Sequence, residues 1–393
     1  MKITDVKSFL ICPGTPRSAF LEGGKNKNLI LLKVETDEGI TGWGEANTQV
    51  DKARSIAHYI TGLGRYLIGR DPFHIKHFTQ MVYNDFAGKR GSFELFCAMS
   101  GIEIALWDIV GKTLDTPVYN LLGGPCRDRI RVYANGWFGG TNTPDELAQK
   151  ALDTLKLGFN AIKFYPFPGP RRLFISREDE RAAVENVRVV CEAVGPDIDI
   201  LIDVHRRLSP MHAVRVATMM EEFNPFWYEE PVAPENLDAL AEVRQAINLP
   251  VVTGETMYTK VAFREVLERR AADILNPDVS SCGGILELKE IAAMAEPCYV
   301  AVSPHNYNSP TMGLAATIQV AATLPNFLIT EYFVNFSEIG DAIAVNPFKV
   351  EEGYIRLPSG PGLGLEINEE ALEDFPFREF PPRKFRIYSD EGP

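Results

Sequence analysis

Six apolar runs in the second half of the chain each end in a carboxylate or an imidazole. IDILI, residues 198–202, leads into Asp203, Val204 and His205. PFWYEEP then brings Glu229, LPVVTGE Glu255, DILNPD Asp278, YVAVSPH His305 and FLITE Glu331, at intervals of 23 to 27 residues. A short β-branched run ending on a polar residue is what a buried parallel strand looks like where it emerges at its C-terminal end. One Asp-x-His triplet of this kind is more often a surface or capping pair; six polar strand ends in regular succession are not so easily dismissed. Period-2 alternation predicts that Asp203 and His205 point to the same side.

Asp203, Glu229 and Glu255 come from successive strands, so they lie side by side and would repel one another. A hard divalent cation resolves that conflict, and oxygen-only ligation with room for water or substrate selects Mg2+. The competing reading is that one of the three caps a helix or pairs with an arginine. His205 and His305 face the same mouth, and Asp278 is placed to orient the His305 imidazole and raise its basicity. Lys163 closes another apolar run, AIKF, and brings an ammonium toward the metal; its competing reading is a solvated face. Tyr165 lies two residues on and faces the same way. His58, His74, His77 and His212 fall outside this ring and read as ordinary surface or core histidines.

A metal beside a base suits abstraction of the proton next to a carboxylate, where the dianionic intermediate needs cations on its oxygens. His305 is the expected base. A second imidazole on another wall can protonate a departing hydroxyl, which makes the net reaction a dehydration.

These groups need a scaffold that brings strand ends together. Strands centred near 134, 162, 201, 227, 252, 274, 301 and 329, separated by segments such as MHAVRVATMMEEF and TKVAFREVLERRA, predict a (β/α) TIM-type barrel. The eighth helix is weak in the sequence. Before it, KITDVKSFLI, NLILLKVETDEG and ITGWGEA read as an antiparallel meander with a turn at DEG, followed by helical patterns, hence a small α+β domain. The expected division is residues 1–125, the barrel at 126–335, and a Pro- and Gly-rich segment at 336–393 that returns to the first domain.

The length of 393 residues implies two or three domains, and 45% hydrophobic with 24% charged residues is ordinary globular composition. A net charge of −13 argues against a nucleic-acid partner. No signal peptide and no membrane-length apolar run is present, so a cytoplasmic protein is expected. Six cysteines without CxxC spacing read as reduced thiols.

Beyond this, GWGE (residues 42–45), ALWDIVGK (105–112), LLGGP (121–125), the Asp203/Glu229/Glu255 set, Asp278 with His305, and Glu331 resemble the mandelate racemase subgroup of the enolase superfamily, over essentially the whole chain. The resemblance implies that the first domain caps a modified, enolase-like barrel. It also implies that residues 12–28 and 87–92 contact substrate, and that Glu331 hydrogen-bonds the substrate carboxylate or the intermediate. DVHRR further resembles sugar-acid dehydratases of the galactonate and mannonate type, where His205 would be the acid that expels the 3-hydroxyl. The Lys-x-Lys pair of racemase-like members is here Lys163-Phe164-Tyr165, which weakens a racemase reading.

The implied substrate is a small sugar acid, an aldonate or aldarate, and the implied assembly a homo-oligomer, dimer or octamer. An epimerase or cycloisomerase on the same scaffold is the alternative reaction, and a non-catalytic binding protein the alternative class. The directions of Arg171, Arg172, Arg206 and Arg207 are not fixed by sequence.

Overall fold

The structure is a computed structural model that describes residues 1–13, 27–86, 91–169, 172–307, 309–382 and 387. Most of the loop at 12–28, residues 87–90 of the turn at 87–92, and Arg171 lie outside the described residues.

The chain opens with β1 (Ile3–Ile11), β2 (Leu29–Thr36) and β3 (Thr41–Ala46), an antiparallel meander in sequence order. Gly39, at φ +80°, makes the turn between β2 and β3. Helices α1 (Ala53–Leu67), α2 (Ile75–Met81), α3 (Phe93–Thr113) and the short α4 (Val118–Leu121) follow. Ser92 caps α3, its Oγ accepting from Leu95 N at 3.4 Å. This helix is apolar almost all round because it is covered on nearly every side. The glycines of GWGE let β3 lie directly on it: a Cβ at Gly44 would meet Gly101 O at 2.0 Å.

From residue 129 strands and helices alternate: β4 (Arg129–Asn135), α5 (Pro144–Leu155), β5 (Ala161–Phe164), α6 (Arg177–Val194), β6 (Asp199–Asp203), α7 (Pro210–Met220), β7 (Trp227–Glu229) and α8 (Leu237–Ala246). Then come β8 (Val251–Thr253), α9 (Thr259–Arg269), β9 (Ile274–Leu275), α10 (Ile285–Ala295), β10 (Ala301–Val302), α11 (Met312–Ala321), β11 (Thr330–Phe333) and α12 (Ser337–Ile343). The strands are parallel and neighbour one another in sequence order, with β11 returning to β4. Between β10 and the run into β11 the ring closes through a parallel bridge of Val302 with Phe327. The eight strands expected from sequence are present, and the barrel is the expected fold. The last helix is only seven residues long.

Tyr133, Ala161, Leu201, Trp227, Val252, Ile274 and Ile329 form one buried cluster. All but Val252, which is followed two residues on by Gly254, lie two residues before a polar side chain: Asn135, Lys163, Asp203, Glu229, Asn276 and Glu331. Strand alternation therefore stacks a layer of polar groups on an apolar floor, all pointing into the barrel. Tyr133 and Trp227 meet edge to face across that floor at 5.4 Å between centroids. The tail contributes more than a return to the first domain, because β12 (Tyr354–Arg356) pairs antiparallel with β4.

Buried acids of the first domain fasten it to the barrel. Glu103 on α3 accepts from Ile285 N at 2.8 Å and Leu286 N at 3.0 Å, capping α10 from outside the helix. Glu45 does the same for α11 through Gly313 N at 2.9 Å and Thr311 Oγ1 at 3.1 Å. Helix N-termini offer unpaired N–H groups and a positive dipole end, so a carboxylate is the natural partner. Asp108 accepts from Trp43 N at 3.0 Å and from Leu363 N of the tail at 2.9 Å.

Burial pushes Glu103 up to about 7 from an ordinary value of 4.5. Between those values the folded chain holds a proton that the unfolded chain has released, so this group's contribution to stability falls as pH rises through the window. Glu103→Gln, which cannot ionise, is expected to gain stability relative to the wild type as pH is raised from about 5 to about 8, read by thermal unfolding. Parallel melting-point curves for the two proteins would refute this.

Candidate active site

Each polar side chain of the mouth is delivered by a strand or by the turn that follows it. Lys163, on β5, is 1% exposed; its Nζ lies 2.8 Å from Glu229 Oε1 and 3.3 Å from Glu331 Oε1, with the Tyr133 ring 5.3 Å below. Burial alone would lower this ammonium, but Glu229 and Glu331 hold its pKa well above the usual lysine value. Glu229 ends β7 opposite Asp203 in the β6–β7 register, and its Oε1 also accepts from Asn276 Nδ2 at 3.0 Å. Burial first, then the like charges of Asp203 and Glu255, push Glu229 up to about 8 against the pull of Lys163.

Glu331 sits inside β11 rather than at its end. Asn135 Nδ2 donates to its Oε1 at 2.5 Å and Asn306 N to its Oε2 at 3.0 Å. Burial would raise Glu331, yet Lys163 and His305 hold it below the usual glutamate value.

Asp278 and His305 lie just beyond β9 and β10 and are joined by an isolated parallel bridge. His305 Nδ1 is 2.8 Å from Asp278 Oδ2, which also accepts from Asn47 Nδ2 of the first domain at 3.0 Å. Ser280 N holds the other Asp278 oxygen at 2.8 Å. With Nδ1 committed to Asp278, Nε2 faces the mouth, 3.2 Å from Glu255 Oε2 and 3.5 Å from Glu331 Oε2. Burial would lower the imidazole, but Glu331, Glu255 and Asp278 hold its pKa well above the usual histidine value.

His205 reaches the same mouth from the other side, with Nε2 4.0 Å from Glu255 Oε1 and 30% of its side chain exposed. Its direction is not set by strand alternation, as the sequence suggested. β6 ends at Asp203, and His205 and Arg206 both adopt left-handed backbone, φ 58° and 61°. A turn, not the pleat, brings His205 inward.

Tyr165 packs edge-on against His205 with centroids 6.3 Å apart, and its hydroxyl accepts from Arg207 Nη1. Arg207 is 3% exposed, with its guanidinium over the rings of Tyr165 and Phe167 at 5.1 and 5.2 Å. Arg206 turns the other way, onto Glu255 and, at 3.4 Å, Glu230.

Asp203, Glu229 and Glu255 thus line one mouth. Among the described residues no three acids, histidines or cysteines are gathered tightly enough to grip an ion as they stand, and Glu255 is turned to Arg206 and His305. Two buried oxygens, Asp203 Oδ1 and Glu229 Oε2, have no hydrogen-bond partner among the described residues. Buried anionic oxygens without donors fit a hard divalent cation.

Asn47, Asn135, Asn276, Glu230 and Lys27 were not singled out by the sequence reading. Asn135 and Asn276 carry a signal that could have found them, since each stands where its strand emerges at the mouth. Asn47 comes from the first domain and carries none; Lys27 lies in the loop at 12–28, which the resemblance marks as contacting substrate without singling out this residue.

Lys27 is 8% exposed and its Nζ has no hydrogen-bond partner among the described residues. It rests 3.3 Å over the Tyr307 ring, which in turn stacks on His305 with centroids 6.0 Å apart. Burial holds its pKa well below the usual lysine value, against the pull of Glu331. Because a buried amine with no hydrogen-bond partner among the described residues is costly, Lys27→Met is expected to stabilise the protein by about 1–3 kcal/mol in chemical denaturation. A destabilised variant would mean that Lys27 is held by interactions stronger than its contact with Tyr307.

Two family models match the chain: "Mandelate racemase / muconate lactonizing enzyme, N-terminal domain" over residues 10–123 and "Enolase C-terminal domain-like" over residues 146–371. The D-galactonate dehydratase of Variovorax paradoxus is 35% identical over 95% of this chain and 94% of its own. The D-gluconate dehydratase of Thermoproteus tenax is 35% identical over 88% of this chain and 69% of its own. The crystal structure of a mandelate racemase/muconate lactonizing enzyme-like protein from Roseovarius sp. TM1035 superposes with a TM-score of 0.87 at 34% identity, covering 96% of each chain. With both domains matched, and with relatives at this identity over most of their length, the chain belongs to the mandelate racemase/muconate lactonizing enzyme family of the enolase superfamily.

Proposed function

We propose that the protein is a Mg2+-dependent dehydratase of a sugar acid, an aldonate or aldarate, giving the 2-keto-3-deoxy acid. The observation that carries this reading is the placement of two imidazoles, His305 and His205, on either side of the Glu255 carboxylate at one barrel mouth. The names of the relatives, D-galactonate and D-gluconate dehydratases, support the same substrate class.

Asp203, Glu229 and Glu255 would hold the ion, which supplies positive charge to the substrate's carboxylate oxygens when bound. His305 Nε2 takes the proton from C2, while Asp278 keeps Nδ1–H pointed away and fixes the tautomer. The electron pair left on C2 delocalises into the carboxylate, where Lys163 meets the developing negative charge. Asn135 and the backbone N–H of Asn306 hold Glu331 in place beside it. His205 then gives a proton to the 3-hydroxyl, which leaves as water. As the C3–O bond breaks the electron pair returns to form the C2–C3 double bond, and the enol, taking a proton at C3 and losing its hydroxyl proton, becomes the 2-keto acid. The hold of Glu255 and Glu331 on the His305 proton opposes the first step.

The test is a panel of aldonates and aldarates with Mg2+, assayed for 2-keto-3-deoxy acid, with exchange of C2–H followed in D2O. His205→Asn is expected to lower dehydration by at least about 10²-fold while C2–H exchange survives, and His305→Asn to abolish both. Exchange without keto acid in the wild type would replace dehydration by epimerisation. No exchange on any acid sugar would remove His305 as a base.

A further inference from the structure

The chemistry above leaves Arg206 without a role. Left-handed backbone is unfavourable for side chains larger than glycine, yet His205 and Arg206 adopt it in succession. Arg206 N donates to Glu230 O at 2.7 Å, which closes the turn and aims the guanidinium across the strand ends. Its side chain is 21% exposed.

Nη1 bridges two acids, Glu255 Oε1 and Glu230 Oε2, the latter at 3.4 Å. The other Glu230 oxygen accepts from Thr253 Oγ1 at 2.5 Å and Gly254 N at 3.0 Å, so Glu230 is engaged on both sides. Glu255 likewise has Arg206 at one oxygen and His305 at the other. Asp203 Oδ1 and Glu229 Oε2 have no partner among the described residues. The cationic demand of the mouth is therefore divided: Arg206 meets it on the Glu255–Glu230 side and Lys163 at Glu229 Oε1, which leaves Asp203 Oδ1 and Glu229 Oε2 to an ion.

We propose that Arg206 is the built-in counter-ion of Glu255, a positioning residue that holds this carboxylate at the rim before an ion enters and competes with the ion for it. This rests on the Mg2+ reading above. A guanidinium on one ligand oxygen draws charge away from the ion and repels it, so Arg206 weakens metal binding while stabilising the metal-free fold.

Mg2+ is titrated by calorimetry into metal-free wild type, Arg206→Met and Arg206→Lys, with circular dichroism to establish folding and thermal unfolding with and without Mg2+. The metal-free Met variant is expected to melt several degrees lower, to bind Mg2+ about tenfold more tightly, and to gain more in Tm from Mg2+ than the wild type does. The Lys variant, a point charge without the fork, falls between the two. A purely structural arginine would lower Tm without tightening Mg2+. Unchanged or weaker Mg2+ affinity in the folded Met variant overturns the proposal; if that variant does not fold, affinity in the Lys variant no tighter than wild type does so. A wild type that takes up no Mg2+ removes the metal reading and this inference with it. A wild type that binds Mg2+ but dehydrates no acid sugar leaves this inference standing and removes the reaction.

Discussion

Charge balance in a buried place governs this protein. Asp203, Glu229, Glu230, Glu255, Asp278 and Glu331 crowd the mouth of one barrel, and Lys163, Arg206 and His305 are among the basic groups in contact with them. Carboxylates removed from water repel one another and lose their ionisation unless cations or donors compensate. Nearly every contact at the mouth answers that demand. Lys163 is wedged between Glu229 and Glu331, the amides of Asn135, Asn276 and Asn47 point at Glu331, Glu229 and Asp278, and the backbone N–H of Asn306 takes the other Glu331 oxygen. The deficit falls where a divalent ion would make it good.

The same device joins the two halves of the chain. Glu103 and Glu45 leave the first domain to sit on the N-termini of α10 and α11, the helices that follow β9 and β10. Those are the strands that deliver Asp278 and His305. The domain interface is thus anchored at the helices behind the proposed base. Gly284 shows how closely: a Cβ there would meet Glu103 Oε2 at 2.2 Å.

Much of this was legible because parallel strands write a strong signature. A buried apolar run must end where the chain meets the mouth, so the regular recurrence of Asp203, Glu229, Glu255, Asp278 and His305 points to a barrel and to a shared site together. The apolar run places Glu331 at a strand end, whereas it lies within β11, since the run stops before the ladder does. Period-2 alternation assigns the facing of His205 to the pleat, whereas two left-handed residues produce it, and sequence gives little warning of such a turn without glycine. Arg206 and Arg207 are adjacent yet diverge for the same reason. Asn47 is silent in the sequence because proximity across a domain interface leaves no mark of spacing, and Lys27 is marked only through the loop at 12–28 that contains it. The tail strand β12 escaped because three residues carry too little pattern.

The hydrogen bond from Asn47 to Asp278 has one more meaning. It makes the orientation of the proposed base a joint property of both domains: the imidazole belongs to the barrel, and part of its alignment to the cap. The hold on the imidazole is therefore complete only with the cap seated and Asn47 on Asp278. It also binds the two domains into a single heritable unit, since a cap taken from elsewhere without this amide would arrive with the barrel's base incompletely held.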